Sequence, residues 1–303
     1  MGYDCVICVK QVPDTGNVTG EAMKADGTIN RAALPTIFNP EDLNALEAGL
    51  AIRDQFGGTV TALTMGPANA CDVLRDCLFR GTDRVILITD RRAAASDTLA
   101  TSYILSRAVR KLDYDIVLCG RQAIDGDTAQ VGPQLAEKLG IPQITYVEQL
   151  IDLSDNTITA QRNIGNGWQQ VRAKLPVLLT VIGDANEPRV AAAKKMMKYK
   201  KARTPIEITE LVRAENPDAD ETEITELINL RSKSLEEKAL LIKQWDLDFL
   251  EADLNWCGMS GSPTKVHRIQ SVVLTAKESK DIYPTPDGIA GMIHELIEEK
   301  TIA

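Results

Sequence analysis

Histidine is nearly absent: His267 and His294 are the only two in 303 residues. A histidine-based triad or a histidine-rich zinc site is therefore not expected. Cysteine is also scarce, and six in a chain of this length do not make a disulfide scaffold. Cys5 and Cys8 do form a C-x-x-C, but inside an apolar β-type run, where residues three apart point to opposite faces. No second C-x-x-C completes a metal site, so these are read as core thiols. Long apolar runs are missing too: no stretch approaches the ~18 residues of a membrane span. The start, MGYDCVICVKQVPD, reaches charged residues too soon for a signal peptide, which predicts a cytoplasmic location. Positive charge is in deficit. A net charge of −9 and a pI near 5.0 argue against nucleic acid as a partner, with Arg91-Arg92 and the cluster at 194–203 as local exceptions.

What is present is enough apolar material, 44% of residues, to bury a sizeable core in one large or two modest domains. Residues 115–137, DIVLCGRQAIDGDTAQVGPQLAE, carry the most information. An apolar run at 115–119 ends at Gly120, a polar turn follows at 121–127, and a helix-forming stretch opens with Thr128 and Ala129. A strand passing through such a loop into a helix aims unpaired N–H groups and the positive end of the helix dipole at one spot, which suits a phosphate. Gly126 and Gly132 allow a ligand or a second segment to come close, and Asp127 or Thr128 can cap the helix. The generic pattern fits a plain capped βα turn equally well.

The first two thirds of the chain alternate between short apolar runs and amphipathic segments. Strands are expected at 5–9, 60–65, 85–89, 116–119, 144–147 and 177–182, and helices at 40–55, 68–80, 96–112 and 128–139. Leu43, Leu46, Glu47, Leu50 and Ala51 keep the spacing of one buried helical face. Continuous apolar strands separated by helices predict an α/β fold, a doubly wound and mostly parallel sheet covered on both faces. Ligands of such sheets bind at the carboxyl ends of the strands. Four loops there are small, glycine-bearing or hydroxyl-bearing: 10–15, Gly66-Pro67, 90–98 and 120–132. Together they suggest one nucleotide pocket.

Past Asn186 the character changes. Residues 191–201, AAAKKMMKYKK, form a basic segment with paired methionines, read as either a partner-docking segment or a helix with a solvated lysine face. Residues 214–223 read as an acidic, structure-poor linker. Leu235, Ala239, Ile242, Trp245, Phe249 and Ala252 recur at helical steps and predict a helix over 234–254. A glycine-serine turn at 258–263 and a last helix at 289–297 complete the tail. The expected division is a nucleotide-binding α/β domain at 1–190 and an extended docking arm at 191–303.

GRQAIDGDTAQVGPQLAE, with VKQVPDT at 9–15, NPEDLNALEAGLAI at 39–52 and LTMGPANA at 63–70, resembles the beta subunit of electron transfer flavoproteins. The likeness continues through DTLATS at 97–102, PQITYV at 142–147, LPVLLTV at 175–181, NEPR at 186–189 and SGSPTKV at 260–266. The stretch 213–255 departs from the family pattern and is longer than usual. The resemblance implies a heterodimer with an alpha subunit that carries electrons between a dehydrogenase and another redox partner. It implies an adenine nucleotide at the carboxyl edge: structural AMP in the simple members, and in the bifurcating members an FAD that accepts hydride from NADH. AMP-holding members tend to a bulkier, more acidic loop at 126–130, so Gly126-Asp127-Thr128-Ala129-Gln130 looks like the bifurcating kind. That kind would pass one electron toward an acyl-CoA-type dehydrogenase and one to a low-potential acceptor such as ferredoxin or flavodoxin.

Position-matched carry-over puts the adenosine near Cys8, Val9, Lys10, Asn39 and Asp42, with Met65 and Gly66 beside it. The phosphates fall to Gly126, Asp127, Thr128, Ala129, Gln130 and Val131. Asp97 and Thr98 face the same edge and the ribityl chain or ring. Asn39, Asp42 and Asp97 could instead be helix caps. Arg121 could sit near the flavin or pair with Asp125 or Asp127. No acid–base pair or nucleophile is needed, since a flavin carries the chemistry. Rival readings are a plain electron carrier holding AMP, an ATP-binding or adenylating domain, and a scaffold that binds nothing. An adenylating enzyme would show an SGGxDS or KMSKS-like loop, and neither occurs.

Overall fold

The computed structural model describes residues 2–14, 34–264 and 281–298. Thr15 of the first loop and His267 lie outside the described residues. In chain order the elements are β1 (Cys5–Cys8), β2 (Gln11–Pro13), β3 (Thr36–Phe38), α1 (Pro40–Phe56), β4 (Val60–Met65), α2 (Cys71–Arg80) and β5 (Arg84–Ile88). Then follow α3 (Thr98–Val109), β6 (Ile116–Gly120), α4 (Val131–Leu139), β7 (Gln143–Ser154), β8 (Thr157–Asn163), β9 (Trp168–Lys174) and β10 (Val177–Val181). The tail holds α5 (Ala193–Tyr199), α6 (Pro205–Glu215), α7 (Glu221–Glu237), β11 (Lys243–Trp245) and α8 (Pro286–Glu298). Among the described residues no helix is long and apolar enough to cross a membrane.

Among the described residues nine strands form one sheet in the order β11-β5-β4-β1-β6-β10-β7-β8-β9. The neighbours from β11 through to β7 pair in parallel. The last three form an antiparallel meander. The sheet is doubly wound, as expected. From β1 the chain winds outward through β4 and β5, then crosses back to place β6 on the other side of β1. The switch point therefore lies between β1 and β6, where the crevice of an open α/β sheet forms. Alternate residues of β1 serve the two faces: Cys5 and Ile7 pack under α1 and α2, while Val6 and Cys8 pack under α3 and α4. The C-x-x-C is thus split across the sheet, and all six cysteines are buried and free.

Three expectations need correction. First, the helix over 234–254 does not exist as such. Its first residues end α7, Ala239 turns with φ 53°, and the chain extends into β11, which pairs with β5. Burial of Leu240, Ile242, Trp245, Leu247 and Leu250 against the sheet edge mimics helical spacing, and long-range pairing wins over it. Second, 214–223 is not a structureless linker. Thr204 and Glu207 form a capping box that starts α6, and the Asp220 carboxylate accepts from the N–H groups of Thr222 and Glu223 to start α7. Third, α4 begins at Val131 rather than Thr128, for reasons that belong to the site. The meander was foreseen only at 144–147, because strands with two largely exposed faces, such as β9, lack an apolar signal.

Candidate functional site

A cavity of about 380 Å³ opens at the carboxyl edge, over the β1–β6 switch point. Its inner wall is apolar: Leu63, Met65, Leu105, Cys8 and Cys119. Its outer lip is the loop after β6, from Gly120 to Gly132, whose residues offer backbone donors and small side chains. An apolar floor with a polar lip is the arrangement a flat base with an anionic tail requires.

The first turn of α1 braces the floor from behind. Asp42 is buried and accepts from the Lys10 N–H at 2.8 Å and the Gly120 N–H at 3.0 Å, bridging the ends of β1 and β6. Burial pushes its carboxyl up to about 7, against hydrogen bonds from Asn39, Lys10 and Gly120 that lower it. Gly120 has no alternative here, since a Cβ would lie 2.4 Å from Asp42 Oδ1. Asn39 occupies the cap position of α1 without capping it. Its amide instead donates to the Gln122 carbonyl and accepts from the Ile124 N–H, fixing the loop from behind. Glu41 accepts from the Gln122 N–H and pairs with Arg121 at 2.9 Å.

The lip is shaped by backbone. Asp127 and Ala129 take left-handed φ of 49° and 52° on either side of Thr128. Such alternation turns successive N–H groups to one side, making an anion-binding concavity. The left-handed residues delay the helix, so Gln130 rather than Asp127 or Thr128 holds the cap position, without a side-chain cap bond. Non-glycine residues in this region cost about 1 kcal/mol or more each, and two of the eight among the described residues fall on this lip. A Cβ at Gly126 would meet no atom, which leaves room at the lip, whereas Gly132 packs tightly on Thr180 of β10. Asp97 caps α3 through the Leu99 and Ala100 N–H groups, and Thr98 donates to Gln130 across the cavity mouth at 2.9 Å.

All the residues assigned from sequence line the cavity except Asn39, which stands behind the loop, and Gly66. Gly66 serves packing instead: its N–H donates to Ile88 and a Cβ would strike Ala70. Arg121 pairs with neither Asp125 nor Asp127. Its guanidinium is held between Glu41 and the ring of Tyr146, 5.7 Å from the ring centroid, while Asp125 pairs with Lys10 at 2.7 Å. Leu63, Ser96, Thr101, Leu105, Cys119, Gly120, Gln122 and Ala123 also line the cavity and were not assigned. Cys119 and Gly120 end β6, and Ser96, Gln122 and Ala123 lie in loops at the same edge, which was legible; the inward orientation of Leu63 on β4 and of Thr101 and Leu105 on α3 was not. Ser262 was missed too: its hydroxyl accepts from the Asp97 N–H, tying the 258–263 turn to the rim.

Comparison with known proteins adds a second line. The electron transfer flavoprotein domain matches residues 26–211. The chain is 37% identical over 297 residues to the electron transfer flavoprotein subunit beta of Clostridium acetobutylicum, covering 98% of this chain and 99% of that one. It is 35% identical over 299 residues to the caffeyl-CoA reductase-Etf complex subunit CarD of Acetobacterium woodii, covering 98% of each. It is 48% identical over 187 residues to the acryloyl-CoA reductase electron transfer subunit gamma of Anaerotignum propionicum, covering 60% of this chain and 69% of that one.

Proposed function

The chain belongs to the electron transfer flavoprotein family as a beta subunit, and from that premise we propose that its cavity holds an FAD serving NADH-driven electron bifurcation. When bound, that group would supply the chemistry: hydride from NADH, then one electron toward an alpha-subunit flavin and an acyl-CoA-type dehydrogenase and one toward ferredoxin or flavodoxin. The observation that carries the proposal is the pairing of an apolar floor at the switch point with a lip of left-handed backbone. Val9, Met65, Leu63 and Leu105 would exclude water from the adenine. The N–H groups of 126–131 and the start of α4 would hold the phosphates. Arg121 brings a cation to the rim, partly balanced by Glu41.

The residues fit that group at two points. Gly126 leaves the lip open where a diphosphate would leave the cavity, and Asp97 and Thr98 supply polar groups beyond it. Two relatives whose names place them in reductase complexes, those of A. woodii and A. propionicum, support the acyl-CoA side of the scheme. The volume also favours a second reading: about 380 Å³ lies near the lower end for ligand pockets and suits a mononucleotide such as structural AMP. A docking role for the tail rests on α8, which exposes Ile289, Ile293 and Ile297 at four-residue steps, as a helix laid on an alpha subunit would. Co-expression with the alpha partner, followed by counting FAD and AMP per heterodimer, decides between the two. Two FAD with bleaching of the flavin spectrum by NADH is the expected result. One FAD and one AMP sinks bifurcation.

A further inference from the structure

Of the six buried thiols, Cys5, Cys71, Cys77 and Cys257 do not line the cavity; Cys8 and Cys119 do. These two are direct register partners on β1 and β6. Both side chains enter the same layer, under α3 and α4. In-register neighbouring strands lie about 4.8 Å apart, inside the ~4.4–6.8 Å Cα span of disulfides. The neighbouring Cys8 thiol and burial together push the Cys119 thiol well above its ordinary range. Nucleotide binding as described uses the two side chains as apolar wall and leaves their thiol chemistry unused.

We propose that Cys8 and Cys119 are a redox-active thiol pair in the cavity floor, which hydrogen peroxide closes to a disulfide that weakens nucleotide binding. The Cys8 sulfur attacks one peroxide oxygen, the O–O bond breaks, one water leaves, and Cys8 becomes a sulfenic acid. The Cys119 sulfur then attacks the Cys8 sulfur. An S–S bond forms, the S–O bond breaks, and the hydroxyl departs with the Cys119 proton as a second water. The two thiols lose two electrons and the peroxide gains them. The cross-link sits directly beneath Lys10 and Gly120, whose N–H groups meet Asp42 across the crevice. Pinning the strands there changes the floor on which the base would rest. Both sulfurs line the cavity, so an occupant covers them.

The effect on binding rests on the nucleotide reading of the cavity; formation of the cross-link does not. The test uses the heterodimer with its alpha partner, freed of bound nucleotide and treated with hydrogen peroxide with and without excess AMP, a probe of the adenosine end that AMP and FAD share, then alkylated and digested without reductant. Mass spectrometry is expected to find the Cys8 peptide joined to the Cys119 peptide, at least tenfold more without AMP, and reversed by dithiothreitol. Cys8→Ala and Cys119→Ala should each lack the joined peptide. The Kd for AMP should rise at least tenfold on oxidation and recover on reduction. Separately alkylated cysteines, or two independent sulfinic acids, overturn the pair. A disulfide that leaves the Kd unchanged overturns the lock. Failure of untreated heterodimer to bind either AMP or FAD sinks the nucleotide reading and the lock together, while the cross-link is still decided by the spectrum.

Discussion

The first turn of α1 and the α6–α7 hairpin both depend on acidic side chains, in opposite surroundings. In the first, Asp42 and Glu41 are largely buried and take backbone N–H groups from two other elements. In the second, Glu221 and Glu215 meet Arg213 and Arg231 at 2.8 and 2.7 Å on the surface, over a small apolar cluster of Ile208, Val212 and Ile224. The distances are alike, yet the energies should not be. A buried carboxylate that has lost its water depends on each remaining donor, whereas an exposed pair trades one set of water contacts for another. The crevice is where sequence change should be felt.

The sharpest break is Gly120→Ala. Its Cβ would fall 2.4 Å from Asp42 Oδ1 and 2.7 Å from the Asp42 backbone nitrogen. We expect a loss of about 3 kcal/mol from overpacking, with nucleotide binding abolished. Gly126→Ala is the control, since its Cβ meets nothing within 4 Å. Its stability should stay within about 0.5 kcal/mol, while nucleotide affinity drops because the lip narrows. Urea denaturation of both variants beside ligand titration reads the contrast.

Next is Asp42→Asn. An Asn amide cannot accept through its NH₂ group, so one of the two N–H donors loses its partner, at about 2 kcal/mol. The pH dependence carries a sign. Burial raises the folded pKa to about 7, from 3.8, so the folded state holds a proton that the unfolded chain has released. The wild type should therefore lose stability as pH climbs from about 4 to about 7. The variant lacks that slope, and the gap between the two narrows over the same window. Parallel curves from pH 4 to 8 would show that Asp42 is charged throughout.

Arg75→Met tests the join between the two regions. Arg75 on α2 bonds the Ala202 carbonyl at 2.9 Å and pairs with Asp72 and with Glu207 of the α6 capping box. Because hydrogen bonds to charged groups at such a half-buried site are worth about 1.5 kcal/mol or more, removal should cost at least that and loosen the hairpin. Limited proteolysis should then cut at 216–219 several-fold faster, with the nucleotide site unaffected.

The parallel half of the sheet could be read from sequence because buried strands carry continuous apolar runs, as Val60–Met65 does. The cavity followed from it: knowing which loops end those strands is enough to gather Lys10, Asp97, Thr98 and the 126–131 lip. What the letters could not carry was conformation and partnership. Asp127 and Ala129 are ordinary residues in left-handed backbone, so the late start of α4 had no composition signal. Glu41 as the partner of Arg121 is set by packing of α1 on β6, a contact eighty residues long in sequence. β11 is three residues and exists only because β5 offers an edge.

The smallest expected effect separates the regions most cleanly. Arg213 and Glu221 hold a bidentate contact, at 2.9 and 2.8 Å, between α6 and α7, with more than half of each side chain in solvent. Geometry alone would rank it beside the Asp42 contacts. Screening and the entropy of two long side chains reduce it to about 0.3 kcal/mol. Arg213→Ala should therefore shift the urea midpoint barely at low salt and not at all in 1 M salt, where the Debye length is about 3 Å. A loss above about 1 kcal/mol that persists in salt would mean that the hairpin is shielded from water, as it would be under a partner subunit.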